Sequence, residues 1–152
     1  MSKIAVVYSD YYPDITNNLI AGVKKTINES FELSFYKVPG SWDIVYKTNT
    51  LTNDYKIFIA AGVICKGETD HYEYISSAVA NGLINLTINK EIYIANCILN
   101  VHNLSQANDR SSNENNKGSE AAKSIASTCL SDSTADGNFK ILVSFLFFIF
   151  FP

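Results

Sequence analysis

Short apolar runs alternate along the chain with longer segments in which apolar residues recur at helical spacing. The runs suit buried strands, because each is too short for a helix that stands alone. They occupy residues 3–9, 33–38, 56–64 and 91–99. The helical segments begin near Pro13, with an apolar stripe that continues to Ile27, and recur at 42–51, 71–88, 104–110 and 119–130. Strands separated by helices favour right-handed crossovers, so the pattern predicts an α/β fold, a three-layer sandwich whose four-stranded, mainly parallel sheet carries helices on both faces.

Four connections lead from a strand into a helix, and they hold most of the candidate chemistry. Their sequences are SDYYPD, VPGSWD, GVICKGETDH and NCILNVHNLSQANDR. In open sheets of this flavodoxin-like type, ligands bind outside the carboxyl ends of the strands. Both histidines of the chain, His71 and His102, lie in these connections, together with Lys66, Glu68 and Arg110. Any active site is therefore expected at this edge of the sheet.

Composition narrows the function classes. A chain of 152 residues fits one domain. Its net charge of -3 argues against a broad nucleic-acid surface, although one or two placed cations suffice for a small anionic ligand. The three cysteines lie far apart, which favours neither a disulfide framework nor a structural zinc site. Because MSKIAVVYSD also lacks the pattern of a signal peptide, a cytoplasmic protein is expected.

The carboxyl-terminal stretch is anomalous. From Ile141 to Phe151 every residue except Ser144 is apolar, but a helix that spans a membrane needs about 20 such residues. A non-native or degenerate tail and a segment buried in an oligomer interface are equally open interpretations, and a membrane anchor is a poor third.

His71 is the strongest single candidate for proton transfer. It follows GETD and begins a helix, where backbone N–H groups favour a bound anion and an imidazole can accept a proton. The alternative is that Thr69 or Asp70 caps the helix and His71 is a solvated residue of its first turn. Lys66 and Arg110 could each bind a phosphate, but isolated basic residues near a loop are more often surface charge.

Aromatic residues follow the first two strands. Tyr11, Tyr12 and Trp42 could stack on a flat heterocycle, although aromatics in such positions equally often close the core. Further along, the tripeptide Asn-Lys-Gly at 116–118 precedes SEAAKSIA and is interpreted first as the start of a helix that Ser119 caps.

No motif for a metal or a nucleotide emerges. His71 and His102 do not share helical spacing with paired acids, which favours a metal-free mechanism. GETDH lacks the glycines of a Walker phosphate loop. SDYYPDIT likewise lacks the hydroxyl-rich and glycine-rich loop of a flavodoxin-like flavin carrier, which ranks last among the alternatives.

Four motifs, taken in order and spacing, resemble the lumazine synthase family, whose members catalyse the penultimate step of riboflavin biosynthesis. They are an aromatic residue after the first strand (Tyr11), the turn VPGSWD at 38–43, the loop GETDHYEY at 67–74, and Gln106, Ala107 and Arg110 followed by Asn-Lys-Gly at 116–118. The resemblance covers about residues 3–131. It implies one lumazine synthase domain over 1–131, with 132–152 as an atypical apolar tail and not a separate domain.

The resemblance implies a transferase that condenses 5-amino-6-ribitylaminouracil with 3,4-dihydroxy-2-butanone 4-phosphate. The products are 6,7-dimethyl-8-ribityllumazine and phosphate, and neither a metal nor an organic cofactor is expected. Lumazine synthases form pentamers, some of which assemble into hollow icosahedral capsids, with active sites at subunit interfaces. The expected partners are therefore small-molecule substrates and further copies of the chain, in a homopentamer or a capsid of pentamers, without nucleic acid or membrane.

The resemblance also assigns roles to individual residues. The family's proton shuttle corresponds to His71 and its phosphate clamp to Arg110, and these two are expected to be catalytic. The other substrate-binding residues implied by the family are Tyr11 and Trp42 beside the pyrimidine, Ser41 and Asp43 on the ribityl side, the backbone of Val63, Ile64 and Cys65 at the pyrimidine's polar edge, Glu68 and Thr69 at the phosphate, and Asn96 and Lys117. Lys66 has no role in this scheme.

Two departures from the family bear on the site. Asn96 replaces a phenylalanine that many members carry after the fourth strand, so this wall is expected to be more polar or to be supplied by backbone alone. The loop SSNEN after Arg110 is one residue shorter than in many relatives. The alternatives are an archaeal-type riboflavin synthase, which shares the fold, and a catalytically impaired shell-forming or ligand-binding homologue.

Overall fold

The computed structural model describes residues 2–129, which form a four-stranded parallel sheet with helices on both faces. The strands are β1 (Ser2–Ser9), β2 (Phe31–Val38), β3 (Ile57–Cys65) and β4 (Tyr93–Val101). The helices are α1 (Pro13–Thr26), α2 (Ser41–Thr50), α3 (His71–Lys90), α4 (Leu104–Ser111) and α5 (Lys117–Cys129), and a 3-10 turn occupies Asn113–Asn115. The predicted α/β sandwich is confirmed, whereas the predicted tail at 132–152 lies outside the described residues.

The direction of winding reverses between β1 and β3. The strand order is β2-β1-β3-β4, so the chain first moves from β1 to β2 and later crosses β1 to reach β3. Strand β3 also extends beyond β1. Its last partner in β1 is Tyr8, opposite Ala61, whereas its pairing with β4 continues to Cys65 and Val101. The end of β3 therefore has a strand on one side only, at the reversal point where open α/β sheets bind ligands.

The sheet is buried on both faces, as expected for a parallel sheet between two helical layers. Ile4 and Val6 of β1 pack toward α1, α4 and α5, whereas Ala5 and Val7 pack toward α2 and α3, and all four are fully buried. Phe58 of β3 is also fully buried, in the core between the sheet and helices α2 and α3. Truncating a core phenylalanine to alanine typically costs about 3–5 kcal/mol.

Helix α3 and strand β4 each extend past their predicted ends at 88 and 99. Helix α3 continues to Lys90, and Glu91 then takes a left-handed conformation with φ of 50° that ends the helix. Strand β4 continues to the buried Val101, because the polar Asn100 that breaks the apolar run faces solvent. Asn96 lies inside the strand, within the bounds of 91–99 predicted from the apolar run, and not after the strand, where the family resemblance places it.

The predicted cap of helix α5 is also wrong. The helix begins at Lys117, because Asn116 and not Ser119 bonds its first turn. Asn116 Oδ1 accepts hydrogen bonds from the N–H groups of Gly118, at 2.8 Å, and Ser119, at 3.1 Å. Asparagine is among the best helix caps. The hydroxyl of Ser119 donates instead to the carbonyl of Gly22 in α1.

No helix within residues 2–129 is long and apolar enough to cross a membrane.

Candidate active site

Beyond Ala61, strand β3 is paired with β4 only, and its half-paired end at Val63–Cys65 is here called the notch. The side chains of Val63 and Ile64 are buried, so a ligand in the notch meets mainly their backbone. The hydroxyl of Ser41, at the start of α2, donates to the carbonyl of Val63 at 3.4 Å. A Cβ on Gly62 would lie 2.9 Å from Ser41 Oγ, so a side chain at this position would displace the Ser41 hydroxyl from β3.

Two exposed aromatic side chains follow the neighbouring strands β1 and β2. The side chain of Tyr11 is 70% exposed and that of Trp42 is 60% exposed. Tyr11 contacts Tyr12 edge to face, with 5.0 Å between ring centroids. Tyr12 packs into the core, and burial raises its pKa, with smaller contributions from Cys65 and Tyr11. The aromatic loop after β1 is thus anchored beside the end of β3, and its outer ring is free to stack.

The loop from β3 into α3 projects from the same edge. Its residues from Gly67 to His71 are exposed, and a Cβ on Gly67 would meet no atom within 4 Å. Asp70 occupies the N-cap position of α3, but its carboxylate accepts no hydrogen bond from the first turn, so the predicted cap is absent. The first-turn N–H groups are therefore not capped by this side chain, and helix N-termini of this kind suit a phosphate.

Lys66, which had no predicted role, anchors this loop at both ends. Its N–H donates to the carbonyl of Val101 at the end of β4, at 2.8 Å. Its ammonium group forms an ion pair of 2.7 Å with Glu73 in the first turn of α3, and lies 5.8 Å from the centre of the Tyr72 ring. The hydrogen bond to Glu73 raises the pKa of Lys66 and lowers that of Glu73.

The connection from β4 into α4 contacts the first turn of α3. The ring of His102 lies 6.2 Å from that of Tyr72, and its backbone N–H donates to the side chain of Gln106 at 2.8 Å. Asn103 caps α4 by accepting from the N–H of Gln106. Arg110 lies in the last turn, exposed, with its guanidinium 3.4 Å from the carbonyl of Gln106. This long hydrogen bond leaves the guanidinium available to an anion.

Comparison with known proteins identifies the family of the chain. A family model for 6,7-dimethyl-8-ribityllumazine synthase matches residues 1–131. The chain belongs to this family. The lumazine synthase of Zymomonas mobilis is 37% identical to it over 128 residues, which cover 81% of this chain and 91% of the relative. The lumazine synthase of Wigglesworthia glossinidia brevipalpis is 35% identical over 132 residues, which cover 82% of this chain and 86% of the relative. The lumazine synthase of Limosilactobacillus reuteri is 32% identical over 130 residues, which cover 82% of this chain and 85% of the relative.

Ser41 and Asp43, expected on the ribityl side of a lumazine synthase site, have structural partners in this chain. Ser41 is buried against β3, and Asp43 accepts a hydrogen bond from the N–H of Gly40 at 3.0 Å. This bond stabilises the start of α2. Any contact of these side chains with the ribityl group would add to these bonds or replace them.

Two other residues expected in the lumazine synthase site lie away from the notch. Asn96 is opposite Ala60, five residues before the Cys65–Val101 pair, or roughly 16 Å along the strand. It is exposed on edge strand β4, and its side chain accepts from the N–H of Ile98. Lys117 forms an ion pair with Glu120 at the start of α5. The segments after β1, β2 and β3 thus start at the same edge of the sheet, whereas Asn96 lies inside β4 and Lys117 begins α5.

The structural roles of two polar residues of this lumazine synthase chain, Glu73 and Asn116, were not predicted from the sequence. Glu73 is seven positions after its partner Lys66, across a loop and a helix start, and no local rule predicts that pair. Asn116 had a usable signal, since asparagine is a strong cap and an acid, Glu120, follows in the first turn. Within residues 2–129 no cluster of three or more His, Cys, Asp or Glu side chains could hold a metal.

Proposed function

We propose that this chain catalyses the lumazine synthase reaction at the carboxyl edge of its sheet. It condenses 5-amino-6-ribitylaminouracil with 3,4-dihydroxy-2-butanone 4-phosphate, and releases 6,7-dimethyl-8-ribityllumazine, phosphate and water. This condensation belongs to riboflavin biosynthesis. The observation that supports the site is the notch at Val63–Cys65, where β3 continues beyond β1 in a chain matched to the family over residues 1–131.

The pyrimidine binds in the notch. Its flat ring fits against the exposed faces of Tyr11 and Trp42, because aromatic rings stack on heterocycles with little loss of side-chain freedom. Its polar edge pairs with the backbone of Val63, Ile64 and Cys65, on the side of β3 that lacks a neighbouring strand. A backbone edge of this kind is rigid, so it orients the amine that must react.

The phosphate of the butanone binds at the exposed loop before α3. Glu68 and Thr69 present backbone donors there, together with the threonine hydroxyl and the first-turn N–H groups. The guanidinium of Arg110 neutralises the phosphate charge and can bind two of its oxygens at once. The same charge would stabilise the phosphate as it leaves.

His71 lies at the junction of these two subsites, as the first residue of α3. The amine attacks the ketone carbonyl, and loss of water gives an imine. Elimination then expels the phosphate and leaves an enol that tautomerises to a second carbonyl. The ribitylamino nitrogen attacks this carbonyl, and loss of a second water closes the ring. Each step moves a proton between nitrogen, carbon or oxygen and a base, and an exposed imidazole can accept and return it. Alignment of the two substrates contributes more to the rate than this proton transfer, because it removes the entropic cost of a bimolecular encounter.

The assembly is a homo-oligomer, either a pentamer or a capsid of pentamers, in the cytoplasm. A groove of about 460 Å³ between α2 and α3 is lined by apolar side chains, including Val45, Tyr46 and Leu86, beside Trp42. Tyr46 is 72% exposed and lies with the exposed Trp42 beside this groove, and contiguous apolar patches of this kind mark interaction surfaces. A neighbouring copy covers this face, and Asn96 and Lys117 serve the site of a neighbour, not that of their own chain.

Incubation of the purified chain with both substrates tests the proposal. Lumazine fluorescence and phosphate should appear together, well above the slow uncatalysed reaction. An archaeal-type riboflavin synthase would instead convert lumazine alone into riboflavin. A shell-forming homologue without activity would assemble but form no product, and this result from folded protein would overturn the proposal.

A further inference from the structure

The side chain of Asn116 uses its entire hydrogen-bonding capacity to join three helices. Its amide N–H₂ donates to the carbonyl of Asn18 in α1, at 2.9 Å, and to that of Ser111 at the end of α4, at 2.6 Å. Its oxygen accepts from the N–H groups of Gly118 and Ser119 in α5. Two donor and two acceptor positions are all that a primary amide offers. The side chain is therefore fixed in one orientation, in a residue that is 7% exposed.

Two glycines make room for this amide. A Cβ on Gly22 would lie 2.8 Å from the amide nitrogen of Asn116, and a Cβ on Gly118 would collide with the carbonyl oxygen of Leu19. Helices α1 and α5 approach closely only because both positions lack a side chain. The surroundings of Asn116 are thus shaped around its amide, and a bulkier group does not fit.

The bond from Asn116 to Ser111 reaches the turn that carries Arg110. Ser111 directly follows Arg110, is 1% exposed, and its carbonyl is among those at a helix end that lack an intrahelical partner. Asn116 supplies that partner across the short loop that separates the two residues. The chain leaves α4 in an extended conformation at Ser112, so helical bonding does not continue to hold the turn in place.

We infer that Asn116 is a positioning residue for the phosphate clamp: its amide fixes the last turn of α4 and thereby the origin of the Arg110 side chain. Arg110 is exposed and its own bond to Gln106 is long, so its placement depends on the backbone beneath it. This inference rests on the role of Arg110 in the proposed function. It adds that a buried neutral residue, with no expected contact to substrate, controls affinity for the phosphate-bearing substrate.

Asn116→Asp separates the two functions of the side chain. Aspartate retains the oxygen that caps α5, since aspartate caps helices as well as asparagine does. It loses the amide donor and places an oxygen against the carbonyls of Asn18 and Ser111. We expect KM for the butanone phosphate to rise roughly 10- to 100-fold, the range of losses caused by small misplacements of binding groups, while KM for the pyrimidine changes by less than about twofold.

Ser119→Ala is the matched control. It removes the other polar bond between α5 and α1, from the Ser119 hydroxyl to the carbonyl of Gly22, without touching α4. Both KM values should stay within about twofold of the original. If Asn116→Asp fails to fold, as judged by circular dichroism, Asn116→Ser serves instead, because serine also caps a helix and lacks the amide donor.

A double-mutant cycle shows whether Asn116 acts through Arg110. In an Arg110→Ala background, Asn116→Asp should raise KM for the butanone phosphate no further, because the group that it positions is gone. Equal effects on both KM values, equal effects of Asn116→Asp and Ser119→Ala, or full additivity with Arg110→Ala would each overturn the inference and leave Asn116 a structural residue.

Binding of inorganic phosphate separates this inference from the proposed function. If the unaltered chain forms no lumazine, the proposed function fails, and calorimetric titration with inorganic phosphate decides the inference alone. Asn116→Asp must then weaken phosphate binding about tenfold or more, and Ser119→Ala must not. Equal affinities in the unaltered chain and Asn116→Asp, or no phosphate binding by the unaltered chain, would overturn it.

Discussion

The ammonium nitrogen of Lys66 lies 2.7 Å from a carboxylate oxygen of Glu73, and this pair ties the loop before α3 to the first turn of the helix. Both side chains are nearly half exposed, so the pair contributes little to the stability of the fold. Its position matters more, because the segment between the two residues carries Glu68 and Thr69 in the loop and His71 at the start of α3. The pair limits the conformations of a segment that otherwise projects freely into solvent.

Lys66→Met should raise the pKa of Glu73 toward the ordinary value of a glutamate, because the hydrogen bond from Lys66 is the main cause of its lowering. The contribution of the pair to stability is fully present above the ordinary pKa of a glutamate. It is lost as pH falls through the lowered pKa of Glu73 in the folded chain. At alkaline pH it is lost again as pH rises through the raised pKa of Lys66. A carboxyl NMR titration measures the shift; an unchanged Glu73 midpoint would show that the pair does not persist in solution.

Gly118→Ala should destabilise the fold by about 2 kcal/mol or more, because the added methyl group collides with the backbone of α1 at Leu19. Gly67→Ala is the matched control: the same change meets open space and should leave the free energy of unfolding nearly unaltered. Urea unfolding followed by circular dichroism compares the two. Equal losses of stability would contradict the close packing of α1 on α5.

His71→Gln should lower kcat roughly 10²- to 10⁴-fold without abolishing turnover, since proton transfer is lost while substrate alignment is kept. His102 is the only other histidine of the chain and lies against Tyr72, so His102→Gln is the control for loss of an imidazole near the same loop. Its kcat should change little. Steady-state kinetics with both substrates saturating decide the matter, and equal kcat for His71→Gln and the unaltered chain would remove His71 from the mechanism.

Tyr46→Glu should break the assembly without unfolding the chain, because the ring is mostly exposed in one copy and borders the apolar groove between α2 and α3. Asn17→Glu, an exposed change on α1 that adds the same charge, should leave the assembly intact. Sedimentation velocity distinguishes monomer, pentamer and capsid. A Tyr46→Glu variant that sediments like the unaltered chain would place the subunit interface elsewhere.

The fold could be predicted because its signals are local. Ile4 and Val6 on one face of β1, with Ala5 and Val7 on the other, form a short continuous apolar run that only a strand covered on both faces can bury. The boundaries of β4 could not be predicted in the same way. Asn96 and Asn100 interrupt the apolar pattern, but on an edge strand a polar side chain can face solvent inside the strand.

The site could be predicted only as far as topology determines it. Parallel strands place the segments after them at one edge of the sheet. This topology predicts that Tyr11, Trp42 and His71 lie at the same edge. The pairs Lys66–Glu73 and Asn116–Ser111 depend on the angle at which a helix leaves its loop. The spacing of residues in the sequence does not encode that angle. Asn96 and Lys117 lie in β4 and α5, and the proposed oligomer would bring them to the site of a neighbouring copy.

The rate of lumazine formation by the purified chain tests the central claim most directly. With both substrates present, fluorescence of the lumazine and release of phosphate should rise in equal amounts, far faster than in the same mixture without protein. Arg110→Ala should need a much higher concentration of the butanone phosphate for the same rate. Soluble, folded protein that forms lumazine no faster than the protein-free mixture would contradict the account.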